Sequence, residues 1–175
     1  MVKIRTSRLL SGIAVVALAG AAGLVSSGSA SADTITSSTT CTNPYTGSEA
    51  GPSTFDVEVP STAVVGDPVA VTVSFPFDNT SGYDLSDVNT ITQAIATTGT
   101  SENPVTVTAG SQGAVANGTT ITITESGTWT PDEAGTATFT LGDFSFNIVA
   151  FGITIPVSCT FDSTPDSVSS VVSSS

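Results

Sequence analysis

The sequence contains no histidine, and its three basic side chains, Lys3, Arg5 and Arg8, all lie within the first eight residues. Histidine, lysine and arginine are the side chains that most enzymes use to transfer protons near neutral pH, to form Schiff bases and to hold phosphate. Beyond residue 8, a Ser-His-Asp or Cys-His hydrolase, a lysine Schiff base and a histidine zinc site are therefore excluded. We predict no catalytic residue and no cofactor.

Acidic residues, in contrast, are plentiful: fifteen Asp and Glu give a formal charge of −12. Nucleic acid is excluded as a partner, because affinity for a polyanion comes from Lys and Arg that displace its counterions. The plainest role of this charge is to keep an exported domain dispersed. Unopposed carboxylates are also expected to raise one another's pKa in the folded state, so stability should increase as the pH falls from 7 toward about 5.

Residues 1–32 have the pattern of a secretory signal peptide. Basic residues come first, an apolar stretch runs from Leu9 to Val25, and small residues end in Ala30-Ser31-Ala32. Cleavage after Ala32 would remove every basic side chain and no acidic one, which changes the formal charge from −12 to −15. No second apolar run reaches the roughly eighteen residues that span a bilayer. We predict a secreted, extracellular product that has no membrane association after cleavage.

Two cysteines, Cys41 and Cys159, lie near the two ends of the predicted folded region. In an exported chain the simplest arrangement is one disulfide between them. The sequence contains no C-x-x-C motif, which favours a structural disulfide over a redox role.

Hydrophobic residues alternate with polar ones in many short segments, a pattern typical of β-strands with one buried face. The predicted inward positions include Phe55, Val57, Val59, Val69, Val71, Val73, Phe75, Val105, Val107, Ile121, Ile123, Ala137, Phe139, Leu141, Phe144, Phe146, Ile148, Ile153, Ile155, Val157, Cys159 and Phe161. A change of phase at Gly142-Asp143 indicates a hairpin turn. Residues 84–98 fit a strand with a bulge or a short helical turn, and we predict a strand.

Roughly seven to nine strands of this length predict an all-β fold, a single immunoglobulin-like two-sheet sandwich closed by one disulfide. The sandwich is expected over residues 41–162. Residues 33–40 are predicted to be a flexible N-terminal segment, and residues 163–175 a disordered Ser-rich tail.

Two segments resemble a known group of proteins. Cys41-Thr42-Asn43-Pro44-Tyr45-Thr46-Gly47, followed by a segment with Val65-Gly66-Asp67 between Pro60 and Pro68, is similar to the start of secreted actinobacterial β-sandwich domains of unknown function. Thr130-Pro131-Asp132-Glu133-Ala134-Gly135-Thr136, running on to Val157-Ser158-Cys159, resembles their end. The resemblance implies export and an immunoglobulin-like fold, and it carries no established activity.

One candidate binding site for carbohydrate combines Trp129 with Asp132 and Glu133. An indole can stack on a sugar ring while carboxylates accept bonds from its hydroxyls. The alternative, which we favour, is that Trp129 is a half-buried strand residue. Asp132 and Glu133 are also the candidate acid and base of a carboxylate-only glycoside hydrolase. They are a poor pair for that role, because adjacent strand residues point to opposite faces.

A candidate calcium site is the loop that carries Asp78, Asp84 and Asp87. Its carboxylates are suitable oxygen ligands, but their spacing does not match an EF-hand. The simpler interpretation is a solvated acidic loop.

The sequence therefore predicts a secreted, non-catalytic interaction or structural module of unknown specific role. A carbohydrate- or calcium-binding domain is the alternative, and a carboxylate-pair glycosidase is third. Its partner is unknown; a glycan or a protein of the cell surface fits an exported domain.

Overall fold

The computed structural model describes residues 30–174, which form ten β-strands. They are β1 (Ala30–Asn43), β2 (Gly47–Pro60), β3 (Thr62–Val64), β4 (Val69–Asp78), β5 (Asp87–Gly99), β6 (Val105–Ala109), β7 (Thr120–Trp129), β8 (Gly135–Ala150), β9 (Ile153–Phe161) and β10 (Ser167–Ser173). The prediction of an all-β protein is confirmed. Most of the segment 84–98 belongs to β5, as predicted, and a register shift between Asn89 and Thr92 marks the predicted bulge.

The strands close into an antiparallel β-barrel, so the predicted two-sheet sandwich is wrong. The order β8-β5-β6-β7-β4-β2-β1-β9 returns to its start because β9 also pairs with β8. A sandwich would leave unpaired edges at the ends of two sheets, whereas these eight strands form a ring. Both folds bury alternate residues, which is why the sequence pattern fits either one.

Strand β8 makes the closure possible. The predicted hairpin at Gly142-Asp143 is instead a bulge within one strand of 16 residues, because Leu141 pairs with Ile95 and Phe144 with Gln93. The extra residue on β8 changes which positions face inward and bends the strand. On one edge of β8, the first half pairs with β10 and the second half with β9.

The barrel interior is filled by the predicted inward-facing side chains. Most of them are buried in β2, in β4 and in β6 through β9, and Ile153 at the β8–β9 turn is an exception, with 51% of its surface exposed. The four connections β1–β2, β4–β5, β6–β7 and β8–β9 lie at the same end of the barrel, since all strand neighbours in the ring are antiparallel. We call this the loop end.

Two segments predicted to lack structure are parts of the fold. Residues 33–40 belong to β1, where Ile35 and Thr39 are buried. The C-terminal segment contains β10, whose Val168, Ser170 and Val172 are buried against the rest of the sheet. Of the predicted signal peptide, residues 1–29 lie outside the described residues, and Ala30–Ala32 form the start of β1.

The predicted disulfide between Cys41 and Cys159 is confirmed. The two residues lie directly opposite each other in the β1–β9 ladder, with their Cα atoms 4.0 Å apart. That ladder has only four residue pairs, Thr39–Thr42 against Ser158–Phe161. The disulfide therefore links two strands where the barrel has a short seam.

Candidate functional site

The barrel opens between β2 and β4. These strands pair only over Asp56–Glu58 and Thr72–Ser74. Toward the loop end they separate, and a cleft of about 290 Å³ lies between them. Its lining consists of Cys41, Pro52, Ser53, Thr54, Phe55, Phe75, Pro76, Phe77, Asp78, Phe144 and Phe146.

Five phenylalanine rings dominate the cleft. Phe55, Phe75 and Phe144 form a mutual cluster in which ring centroids are 5.5–5.6 Å apart and the rings are tilted or edge-on. Phe77 meets Phe146 edge to face at 5.7 Å. Aromatic pairs favour these geometries, so the contacts between the rings stabilise the apolar wall that they form.

Two prolines line the separated strand edges. Pro52 pairs with Ser38 inside the β1–β2 ladder, and Pro76 pairs with Thr122 inside the β4–β7 ladder. Proline has no N–H, so it fits a continuous ladder where its nitrogen faces away from the paired strand. For both residues that direction is the cleft. Each wall therefore lacks a donor that an inserted strand would need, and the cleft suits a compact group better than an added β-strand.

Asp78 is the one charged residue among those that line the cleft. It ends β4, is exposed, and accepts a hydrogen bond from the Thr120 hydroxyl on the neighbouring strand. The hydroxyl of Ser53, which lines the cleft, is hydrogen-bonded at 2.6 Å to the hydroxyl of Thr39 on β1. The polar side chains that line the cleft are thus the hydroxyls of Ser53 and Thr54 and the carboxylate of Asp78.

The predicted carbohydrate site is not assembled. Trp129 is 1% exposed and packs edge-on against Phe139 at 4.9 Å, so its indole faces are unavailable to a sugar ring. Asp132 and Glu133 lie outside the barrel in a turn whose N–H groups donate to the Ser101 hydroxyl. The pKa of Asp132 is lowered, and the hydrogen bond with the Ser101 hydroxyl is the largest cause. Trp129 is a strand residue, as the favoured interpretation held, but it is fully buried and not half-buried.

The three carboxylates of the predicted calcium site each bind protein groups of their own. Asp78 accepts from Thr120, and Asp84 accepts from the Asn117 N–H at 2.8 Å. Asp87 accepts from Ser111 and Gly113, and its pKa is lowered by hydrogen bonds from Asn89 and Ser111. In residues 30–174 no group of three or more His, Cys, Asp or Glu side chains is placed to hold a metal ion.

One buried acid was not predicted from the sequence. Glu125 is fully buried in the barrel, neither carboxylate oxygen has a hydrogen-bond partner, and desolvation raises its pKa to about 8. The alternation of Ile121 and Ile123 puts Glu125 on the same inward face, and that pattern could have identified it. Gln93 is also fully buried, with one donor bond to the Gly142 carbonyl. Neither residue lines the cleft.

Exposed hydrophobic side chains surround the loop end. Tyr45 is 67% exposed on the β1–β2 turn, and Phe151 is 78% exposed on the β8–β9 turn. Phe151 has a φ of 52°, a strained value for a residue other than glycine, and its ring lies 5.1 Å from that of Tyr83. These rings lie at the same end of the barrel as the cleft but do not line it.

Among residues 30–174, no helix has the length and hydrophobicity needed to span a bilayer. No family model and no curated protein matches the chain. A solved structure that the chain matches in part is the "Putative membrane anchored protein from Corynebacterium diphtheriae", which is 15% identical with a TM-score of 0.48. The match covers 82% of this chain and 38% of that one, so the chain spans less than two fifths of its length. A likeness at this level assigns neither a family nor a function.

Proposed function

We propose that the protein is an exported, non-catalytic binding module that holds a compact apolar group of a small organic ligand in the cleft between β2 and β4. The single observation that carries this proposal is the cleft itself, which opens where β2 and β4 separate and is lined by five phenylalanine rings. Binding pockets are typically concave and mostly apolar, with a few polar groups that orient the ligand.

Export is supported by the disulfide and by the signal pattern of residues 1–32. The non-catalytic role is supported by the composition of the site. Asp78 is the only acid in the lining, so this cleft offers no acid and base pair across a bound group.

The volume of the cleft limits the ligand. An apolar cavity of about 150 Å³ is enough to bind benzene, and drug-sized pockets start near 300 Å³. A cleft of about 290 Å³ therefore fits one ring with a small substituent. The prolines at both walls argue against a peptide strand as the occupant.

The test uses the neutral probe para-neopentylphenol and nuclear magnetic resonance of the ¹⁵N-labelled protein. We expect saturable shift changes centred on the amides of Ser53, Thr54 and Phe55. Phe77→Ala removes a half-buried ring from the rim and should weaken binding by about tenfold, since one ring contact supplies about 1 kcal/mol or more.

Phe151→Ala is the matched control, because it removes an exposed ring outside the cleft. Binding to this variant should equal that of the unmodified protein. Shift changes that do not saturate, or that cluster away from β2 and β4, would overturn the proposal, as would equal losses in both variants.

A further inference from the structure

We propose that the cleft selects an organic cation, an ammonium group carried next to an aromatic or alkyl group, over neutral and anionic ligands of the same shape. This inference rests on the proposed function, because it names the ligand class of the same cleft. Three independent features of the described residues support it.

The first feature is the aromatic wall. The faces of phenylalanine rings carry the negative part of a quadrupole, which attracts a cation placed over them, and aromatic surroundings are a known way to recognise quaternary ammonium groups. Phe144 and Phe146 lie parallel to within 15° with centroids 6.4 Å apart, so the two rings face the same way on β8. With Phe55, Phe75 and Phe77 they form one connected aromatic cluster that lines the cleft, and Phe77 is its half-buried member.

The second feature is the position of Asp78. Its carboxylate is at the rim, where one oxygen accepts from Thr120 and the other is outside that bond. The Thr120 bond holds the carboxylate at the end of β4. An ammonium group at the mouth of the cleft would meet this charge while its apolar neighbour occupied the space between the rings.

The third feature is the absence of any opposing charge. Residues 30–174 contain all fifteen acidic side chains and no lysine, arginine or histidine. A cation entering the cleft thus meets an attractive field from the whole domain, and an anion is repelled. No basic group in this part of the chain can neutralise Asp78 before a ligand arrives.

The experiment compares three probes that share one phenol ring. The cation is para-hydroxybenzyl trimethylammonium, the neutral isostere is para-neopentylphenol, and the anion is para-hydroxyphenylacetate. Affinities are measured by ¹⁵N shift titration at pH 7 and low salt. We expect the cation to bind at least about tenfold more tightly than the neutral probe, and the anion to bind most weakly.

Two variants separate the rim carboxylate from the general field. Asp78→Asn should lower the affinity for the cation about three- to tenfold and leave the affinity for the neutral probe unchanged. Glu58→Gln removes the same charge from an exposed site on β2 outside the cleft, and it should preserve the preference for the cation.

The outcomes distinguish this inference from the proposed function. If the neutral probe binds in the cleft and the cation binds no more tightly, the cleft is a binding site and the inference is wrong. Equal losses in Asp78→Asn and Glu58→Gln would also overturn it, because they would assign the preference to net charge alone. If no probe gives saturable shifts at Ser53–Phe55, both proposals fail.

Discussion

Glu125 on β7 lies directly opposite Val73 on β4, inside the barrel. Its carboxylate is buried, and within the described residues neither oxygen has a hydrogen-bond partner. The nearest inward positions on β6, the strand on its other side, are Val107 and Ala109, which do not ionise. Burial without a partner raises the pKa of Glu125 to about 8.

We expect this residue to make the protein less stable as the pH rises toward 8. The folded state keeps a proton on Glu125 up to a pH of about 8, whereas the unfolded chain loses it near the ordinary value of 4.5. The stability that this proton confers is therefore complete below pH 4.5 and is lost as the pH rises through 8. Between those values the free energy of unfolding should fall by about 1.4 kcal/mol per pH unit.

Urea denaturation between pH 5 and 8 measures this slope. Glu125→Gln has no titrating group at this position, so its slope should be flatter, and at pH 8 it should be more stable than the unmodified protein. Glu58→Gln, on the exposed face of β2, should retain the original slope. If all three proteins have the same slope, Glu125 is not the source of the pH dependence.

The predicted direction of acid stabilisation is retained, but its main cause differs from the one inferred from composition. The sequence argument relied on repulsion among many carboxylates, whereas the structure has one buried acid with a raised pKa. Hydrogen bonds act in the opposite direction on Asp87, Asp132 and Asp162, whose pKa values are lowered from 3.8. The stability that these hydrogen bonds contribute is present above pH 3.8 and is lost below it. The protein is therefore expected to be most stable at about pH 4 to 5.

Local patterns predicted the strands well because a strand with one buried face has a hydrophobic side chain at every second position. Phe55, Val57 and Val59 are buried as expected, and Cys159 points into the core. The same rule was not applied to Val168, Ser170 and Val172, which alternate inward in β10. The high serine content of that segment suggested disorder, although two valines and pairing with β8 are sufficient to order it.

Closure into a barrel was not predictable from alternation, because it depends on which strands become neighbours. The decisive local feature is the change of phase between Leu141 and Phe144. A turn and a bulge both shift the inward positions by one residue, and only pairing on both edges of β8 shows that the strand continues.

The cleft was also invisible in the sequence, since it exists where β2 and β4 stop pairing. Pro52 and Pro76 are the signals that remain, because each marks a strand edge with no partner on the proline side. Pro52 and Pro76 line the same cleft only because β2 and β4 become neighbours in the barrel. In the chain these two strands are separated by β3 and two connections.

Loss of the disulfide should reduce stability substantially. Cys41 and Cys159 are 118 residues apart in sequence, and a loop of this size restricts the unfolded chain by about 4 to 5 kcal/mol in the entropy model. Urea midpoints with and without reductant measure the effect. The double variant Cys41→Ala, Cys159→Ala should match the reduced protein and should not respond to reductant. A midpoint unchanged by reduction would show that the barrel is closed by its ladders alone.

Trp129, the only tryptophan, should behave as a fully buried indole. We expect a blue-shifted emission maximum and little quenching by acrylamide in the folded protein, because Phe139 and the barrel wall exclude the quencher. Protein unfolded in urea is the control and should be quenched strongly. Polysaccharides should leave the emission unchanged. Strong quenching in the folded state, or a saturable response to a sugar, would show that the indole is accessible.

Gly127 on β7 should not tolerate a side chain. A Cβ at this position would lie 2.5 Å from the Thr106 carbonyl oxygen and 3.1 Å from Val107 Cγ1. Both contacts belong to β6, a strand of five residues, so Gly127→Ala must push β6 away from β7. We expect a loss of about 1 to 3 kcal/mol, as for other overpacked sites. Gly51→Ala is the matched control, since its Cβ would meet no heavy atom within 4 Å, and its urea midpoint should change little. Equal midpoints for the two variants would mean that β6 moves freely and that the β6–β7 contact contributes little to holding the ring closed.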